Sequence, residues 1–289
     1  MKLTVKAFAK LNLTLDILGT LPNGYHSIES IFQSISLHDI LLIESGTKEI
    51  SVTCSNPNIP QGEENICYKA IETFLKHAGI NDGVSVHIEK HIPEAAGMGG
   101  GSADAAATLL ALSKIYRHIL DDKALRSIAA QLGADVPFCM MGGACIATGT
   151  GEILTPLPPC PDCDIVLVKQ GAKPSTAELY KRFDMKGSPA HSDTAAAILA
   201  LEAGNLDDVT DNVSNCFAPL WGESVSKIKS DMLICGALAA ELTGSGPTVF
   251  GIFKKGKGQA ALEFLKKYYS IAYLCHPTGT GVEFVKKEI

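Results

Sequence analysis

The sequence predicts an α+β protein in two halves, and three features carry that prediction. Residues 3–17 alternate apolar and polar side chains, a glycine-rich turn at 97–102 joins a strand to a helix, and Pro156, Pro158, Pro159 and Pro161 crowd a short stretch where neither a regular helix nor a central strand can run. Every odd position from Leu3 to Ile17 is apolar, which is strand period and puts Lys10 and Asn12 on one face, about 6–7 Å apart. Pro22 and Asn23-Gly24 mark a turn, followed by strand-like segments at 28–37 and 40–44. Helical spacing covers 66–78 with Asn65 as its N-cap, and 84–92 alternates as a strand into Pro93. The glycine-rich turn opens a helix over 102–116, helices follow at 122–132 and after Asp135, and 144–147 is a short strand. Beyond the prolines come a strand at 164–169, helices starting at Thr176, Asp193 and Asp208, a strand at 248–253, a helix at 259–267 and strands near Ile271 and Val282. The mixed order gives α+β in both halves, 1–157 and 158–289.

Composition narrows the function. In 289 residues, 46% are hydrophobic and 19% charged, as in soluble globular chains, which excludes disordered and collagen-like classes. A net charge of −6, from 25 Lys and Arg against 31 Asp and Glu, argues against nucleic acid as the main partner. No apolar run reaches the roughly 20 residues that span a bilayer. Nine scattered cysteines without a secretion signal favour free thiols, and the expected location is the cytoplasm.

The chemistry-bearing segment is Gly97-Met98-Gly99-Gly100-Gly101-Ser102 at a helix start. Its glycines let the backbone approach a ligand, and the free N–H groups and dipole of the helix favour an anion such as a phosphate chain; the plain alternative is a tight turn. It is neither a Walker A loop, since no Gly-Lys-Ser/Thr follows, nor the dinucleotide fingerprint, which needs glycine where Ser102 stands. Cationic help must come from Lys10 or Lys90. Asp135, in Gly133-Ala134-Asp135-Val136-Pro137-Phe138, is either an N-cap or a general base for an alcohol, and the segment alone does not decide. Thr243-Gly244-Ser245-Gly246-Pro247-Thr248 is a second small-residue turn able to close over the same anion. Tyr25-His26 pairs a stacking surface with a hydrogen-bonding ring, as a planar base requires. Cys160-Pro161-Asp162-Cys163 lacks a second ligand pair and is set aside.

Together, the segments 6–13, 93–107 and 244–250 resemble, in order and spacing, the three motifs of the GHMP small-molecule kinases. Within that family, 23–26, 133–138 and 147–152 are similar to the branch acting on a cytidine diphosphate-linked polyol. The resemblance implies a two-domain α+β fold, with an N-terminal half like domain 2 of ribosomal protein S5 and a C-terminal ferredoxin-like α/β sandwich, and small-molecule substrates in the cleft between them. It implies transfer of the ATP γ-phosphoryl group to the C2 hydroxyl of a methylerythritol unit, in isoprenoid precursor synthesis, with Mg²⁺ expected. By carry-over, Asp135 is the base and Lys10 orients it and stabilises charge. Lys90, Pro93, Gly97, Met98, Gly99, Gly100, Gly101, Ser102 and Ala103 hold ATP, while Asn12, Tyr25, His26, Phe32, Thr176 and Tyr180 bind the cytidyl substrate; Thr176 and Tyr180 belong to a family-like segment that begins at Lys173. The family usually has serine where Ala103 stands, which removes one hydroxyl. Rival readings are another GHMP kinase, of mevalonate or homoserine type, and a catalytically silent nucleotide binder. Tyr25-His26 argues against the first and the Lys10 and Asp135 pair against the second.

Overall fold

A computed structural model describes residues 1–172, 174–187 and 191–288. The alternating N-terminus forms one long strand, β1 (Lys2–Thr20), and turns into another, β2 (His26–Thr47). The two segments expected at 28–37 and 40–44 are thus continuous, because β1 runs alongside throughout and register shifts at Phe8/Lys10, Asn12/Thr14 and Ile17/Gly19 absorb the twist. Strands β3 (Ser51–Cys54) and β4 (Gly83–Glu89) extend this sheet beyond β2, and β5 (Ala144–Thr148) and β6 (Ile153–Leu157) branch from it. Pro156 lies in β6, whose one strand partner is β5, the edge position proline tolerates.

Helices α1 (Ile66–Ala78), α2 (Gly100–Ile115), α3 (Asp122–Leu132) and α4 (Val136–Met141) belong with the first sheet. The Asn65 side chain caps α1 by accepting from the Cys67 N–H, as the spacing predicts. Helix α2 is sunk in the core: Ala103, Ala105, Ala106 and Ala107 are buried, and their small size lets it lie close to β1 and α1. Phe74 of α1 and Phe138 of α4 are fully buried in this core, each worth about 3–5 kcal/mol if truncated to alanine.

The second sheet contains β7 (Asp164–Lys169), β9 (Ala239–Leu242), β10 (Thr248–Phe253) and β11 (Ile271–Cys275), antiparallel in the order β11-β7-β10-β9. Helix α5 (Thr176–Lys186), α6 (Thr194–Ala203), α7 (Leu206–Asp211) and α8 (Glu223–Ile234) lie between β7 and β9, and α9 (Gly258–Leu265) joins β10 to β11. That strand order, with α8 and α9 as crossover helices, is the ferredoxin-like arrangement. β8 (Ser214–Asn215) and β12 (Val282–Glu288) return to pair with β1, so the last strand of the chain completes the first sheet. β1 also serves both cores: Leu3 to Leu13 pack with α1 and α2, whereas Leu15 and Ile17 pack with Val166, Val168 and Phe217. Both halves are thereby anchored to one strand. No helix among the described residues is long and apolar enough to cross a membrane.

Candidate functional site

A cavity of about 610 Å³ lies where β1, the start of α2, α5 and the 243–248 turn meet. It is within the usual size range for small-molecule sites. Lys10, Asn12, Phe32, Lys90, Pro93, Gly97 to Ser102, Asp135, Thr176 and Tyr180 all border it, as do Gly244 and Ser245 of the second turn.

The glycine-rich loop is held by close contacts at Gly97 and Gly99 that leave little room for a side chain there. The Lys10 N–H donates to the Met98 carbonyl at 3.1 Å, pinning the loop to β1 at the residue whose side chain enters the site. Gly99 takes the N-cap position of α2 with φ +69°, and a Cβ there would sit 3.2 Å from Lys10 Cγ and 3.7 Å from Asp135 Oδ2. A Cβ on Gly97, at φ +75°, would meet the Thr243 carbonyl oxygen at 2.6 Å, and one on Gly244 would meet the Gly97 oxygen at 2.7 Å. The two small-residue turns therefore press together backbone to backbone. Gly100 to Ser102 form the first turn of α2, whose amides are free of helical partners and favour an anion. Ala103 departs from expectation: its side chain is buried in the core and its N–H is taken by the Gly99 carbonyl, so it has nothing to offer a ligand.

Lys10, its side chain only 5% exposed, places Nζ 2.9 Å from Asn12 Oδ1, 3.5 Å from Asp135 Oδ2 and 4.4 Å from the centre of the Phe32 ring. Asn12 is fixed by donating to Ser30 Oγ at 2.8 Å. Asp135 occupies the position before α4, yet its carboxylate makes no capping hydrogen bond; the N-cap alternative is overturned, since Lys10 draws the side chain into the cavity, where it is 32% exposed.

Lys90 has different company. Its ammonium lies 2.5 Å from Asp39 Oδ2 and 2.7 Å from Asp104 Oδ2, in a triad buried between β2, the end of β4 and α2. Burial alone would lower its pKa, but Asp104 and Asp39 more than offset that and hold it above the ordinary lysine value. Burial pushes the Asp104 carboxyl well above the ordinary carboxylate range; Lys90 opposes the shift and Asp39 adds to it. Asp39 Oδ1 accepts from the His91 and Ile92 N–H groups, while Asp104 Oδ1 has no partner. One cation cannot neutralise two buried carboxylates, so Asp104 is the member that most readily keeps a proton. Sequence reasoning passed over both acids, although a charge inside the alanine-rich run 103–107 was the available signal.

At the far end, Tyr180 borders the cavity, and burial, with Cys216 and Asp135 nearby, pushes its phenol up to about 12, so it stays a neutral aromatic. His26 stacks on Tyr180, whereas Tyr25 is 67% exposed and does not border the cavity. Lys173 lies outside the described residues. All nine cysteines are free thiols, and among the described residues no group of three or more His, Cys, Asp or Glu is placed to hold a metal.

Comparison with known proteins follows the same lines. Residues 65–143 match the family described as GHMP kinases N terminal domain, and 197–271 match GHMP kinases C terminal. Over 289 residues the chain is 39% identical to a 4-diphosphocytidyl-2-C-methyl-D-erythritol kinase from Caldanaerobacter subterraneus, covering 99% of this chain and 100% of the relative. Over 256 residues it is 42% identical to a protein of the same name from Pelotomaculum thermopropionicum, covering 87% and 89%. A crystal structure of 4-(cytidine 5'-diphospho)-2C-methyl-D-erythritol kinase aligns with a TM-score of 0.79 at 30% identity, over 96% of this chain and all of that one. Homoserine kinase from Cytophaga hutchinsonii aligns at 0.78 with 16% identity, over 98% and 97%, and shares the fold.

Proposed function

The chain belongs to the 4-diphosphocytidyl-2-C-methyl-D-erythritol kinase family of the GHMP kinases, and from that premise we propose how its own residues carry the reaction. It is an ATP-dependent small-molecule kinase that phosphorylates the C2 hydroxyl of 4-diphosphocytidyl-2-C-methyl-D-erythritol, giving the 2-phosphate and ADP, on the methylerythritol phosphate route to isoprenoid precursors. We place it in the cytoplasm, with ATP and a reducing environment.

The observation that supports the residue roles most directly is the approach of the phosphate loop to the Lys10–Asp135 pair at Gly99, where a Cβ would contact both. Asp135 Oδ2 takes the proton of the attacking hydroxyl as its oxygen bonds to the γ-phosphorus and the bridging P–O bond to ADP breaks. Lys10, steered by Asn12 and Phe32, holds Asp135 in place and lies against the charge on the attacking oxygen and the γ-phosphate. The amides from Gly97 to Ser102 cradle the phosphates, with Lys90, Pro93 and Met98 bordering the ATP side. Asn12, Phe32, Thr176 and Tyr180, on the cavity wall, face the cytidyl substrate, and His26 joins that end through its stack on Tyr180, whereas Tyr25 takes no part in the wall.

Mg²⁺ fits this site as an ion carried by ATP, since it keeps phosphate and water ligands in such sites and needs few protein oxygens. Ser102, at the cavity wall in the first turn of α2, is the residue that would offer a hydroxyl. When bound, the ion offsets the charge of the phosphates.

The test is ADP release from ATP and Mg²⁺ with 4-diphosphocytidyl-2-C-methyl-D-erythritol, mevalonate, homoserine or no acceptor. Turnover is expected with the cytidyl substrate alone. Turnover with mevalonate or homoserine in its place would contradict the substrate.

A further inference from the structure

His26 and Asp184 meet from the two halves of the chain. His26 opens β2, Asp184 lies on α5, and the ring Nε2 is 2.7 Å from Asp184 Oδ1. The same ring stacks on Tyr180, four residues before Asp184 on α5, with centroids 4.5 Å apart and planes at 26°. Tyr180 in turn stands edge-on to Phe217 at 5.1 Å, and both of these side chains border the cavity. One helix face thus holds the imidazole by its plane and by one of its nitrogens.

A carboxylate can only accept, so the hydrogen in this contact sits on Nε2. In the neutral ring the other nitrogen, Nδ1, is then a bare acceptor. Among the described residues it takes no hydrogen bond and is not a fully buried unpaired atom; His26 does not itself border the cavity, but the Tyr180 ring on which it stacks does.

We infer that Asp184 is a positioning residue that fixes the His26 tautomer and thereby makes the site prefer cytosine to uracil. The inference rests on the cytidyl substrate proposed above. Cytosine carries an amino donor at position 4, whereas uracil carries a carbonyl acceptor there. An acceptor at Nδ1 satisfies the first and sets lone pair against lone pair with the second. A polar group placed to receive a donor rejects an analogue that lacks it far more strongly than an apolar wall does. Without Asp184 the ring exchanges tautomers, Nδ1 presents an N–H in part of the population, and the carbonyl of uracil becomes acceptable.

The test measures affinities of CDP and UDP for the full chain, with KM for ATP alongside. The unaltered protein binds CDP more tightly than UDP. Asp184→Ala lowers the CDP-to-UDP affinity ratio by about tenfold or more, with little change in KM for ATP. Asp184→Asn, whose amide oxygen still accepts from Nε2, recovers most of that ratio. A variant Asp184→Ala that weakens CDP and UDP equally, leaving the ratio intact, would overturn the inference and reduce Asp184 to an anchor for α5. Equal affinity for CDP and UDP in the unaltered protein is a different failure: it would remove the cytidyl reading itself, and the role of Asp184 with it.

Discussion

Lys10 and Lys90 border the same cavity and their side chains are equally buried, at 5% exposure, yet their surroundings are opposite. Lys90 is gripped by two carboxylates within 2.7 Å. Lys10 has a neutral amide at 2.9 Å, an aromatic face at 4.4 Å and one carboxylate at 3.5 Å, beyond good hydrogen-bond length. A buried cation is tolerated in both places because it is compensated, but the compensation decides what it can still do. The charge of Lys90 is spent inside the protein, tying β4 and β2 to the first turns of α2. That of Lys10 is only partly answered and remains available to an incoming anion.

The largest effect that would break this contrast is on turnover. Lys10→Ala should lower kcat by about 10²–10³-fold or more and leave the melting temperature nearly unchanged, because the Asp135 carboxylate it abandons is exposed enough to be hydrated. Steady-state kinetics and thermal melting on the same preparation check both halves of that statement. Lys90→Met should do the reverse, costing about 3–5 kcal/mol of stability in urea unfolding, since it strands two carboxylates in the core. If it melted like the wild type and lost only activity, the two lysines would share a role and the contrast would collapse.

Gly97→Ala tests the loop that both lysines support. With φ at +75° and the Thr243 oxygen 2.6 Å from the new methyl, it should cost about 1–3 kcal/mol and raise KM for ATP, read by melting and kinetics. The smallest effect belongs to Asp104→Asn, expected to stay within about 1 kcal/mol of wild type at neutral pH, because the carboxyl it replaces is the one that tends to hold a proton. Its pH dependence has a definite sign. The folded-state pKa of Asp104 is raised, so the folded chain binds that proton more tightly than the unfolded one. As pH rises from the ordinary carboxylate range through the raised value, the wild type loses stability that the asparagine variant, which cannot ionise, keeps. The melting gap should therefore widen in favour of the variant; a narrowing gap would contradict the assignment.

Much of this was legible in the sequence, and the illegible part has a physical pattern. The alternation of β1, the Asn65 cap on α1 and the glycine-rich entry to α2 are set by neighbours within a few residues, and each appears where the spacing puts it. Strands β3 and β8 are too short to carry a period, β9 is Ala-Ala-Glu-Leu, and the return of β12 to β1 joins residues more than 270 positions apart, so none of these was read. At the site, Lys10, Asp135 and the loop were found because their residue types are unusual in their settings. Whether Asp135 caps a helix or faces the cavity was decided only by packing that brings β1 against the start of α4. Asp39 and Asp104 escaped because each sits in an apolar context that reads as core, and only tertiary structure shows the lysine that they share.

The claim that Asp135, held by Lys10, is the base is tested most directly by kcat of Asp135→Asn at saturating ATP and cytidyl substrate, on protein shown to melt like wild type. A fall of about 10²–10⁴-fold with both substrates still bound is the predicted result. A kcat near that of wild type would contradict it, leaving the Lys10–Asp135 contact without a part in the chemistry.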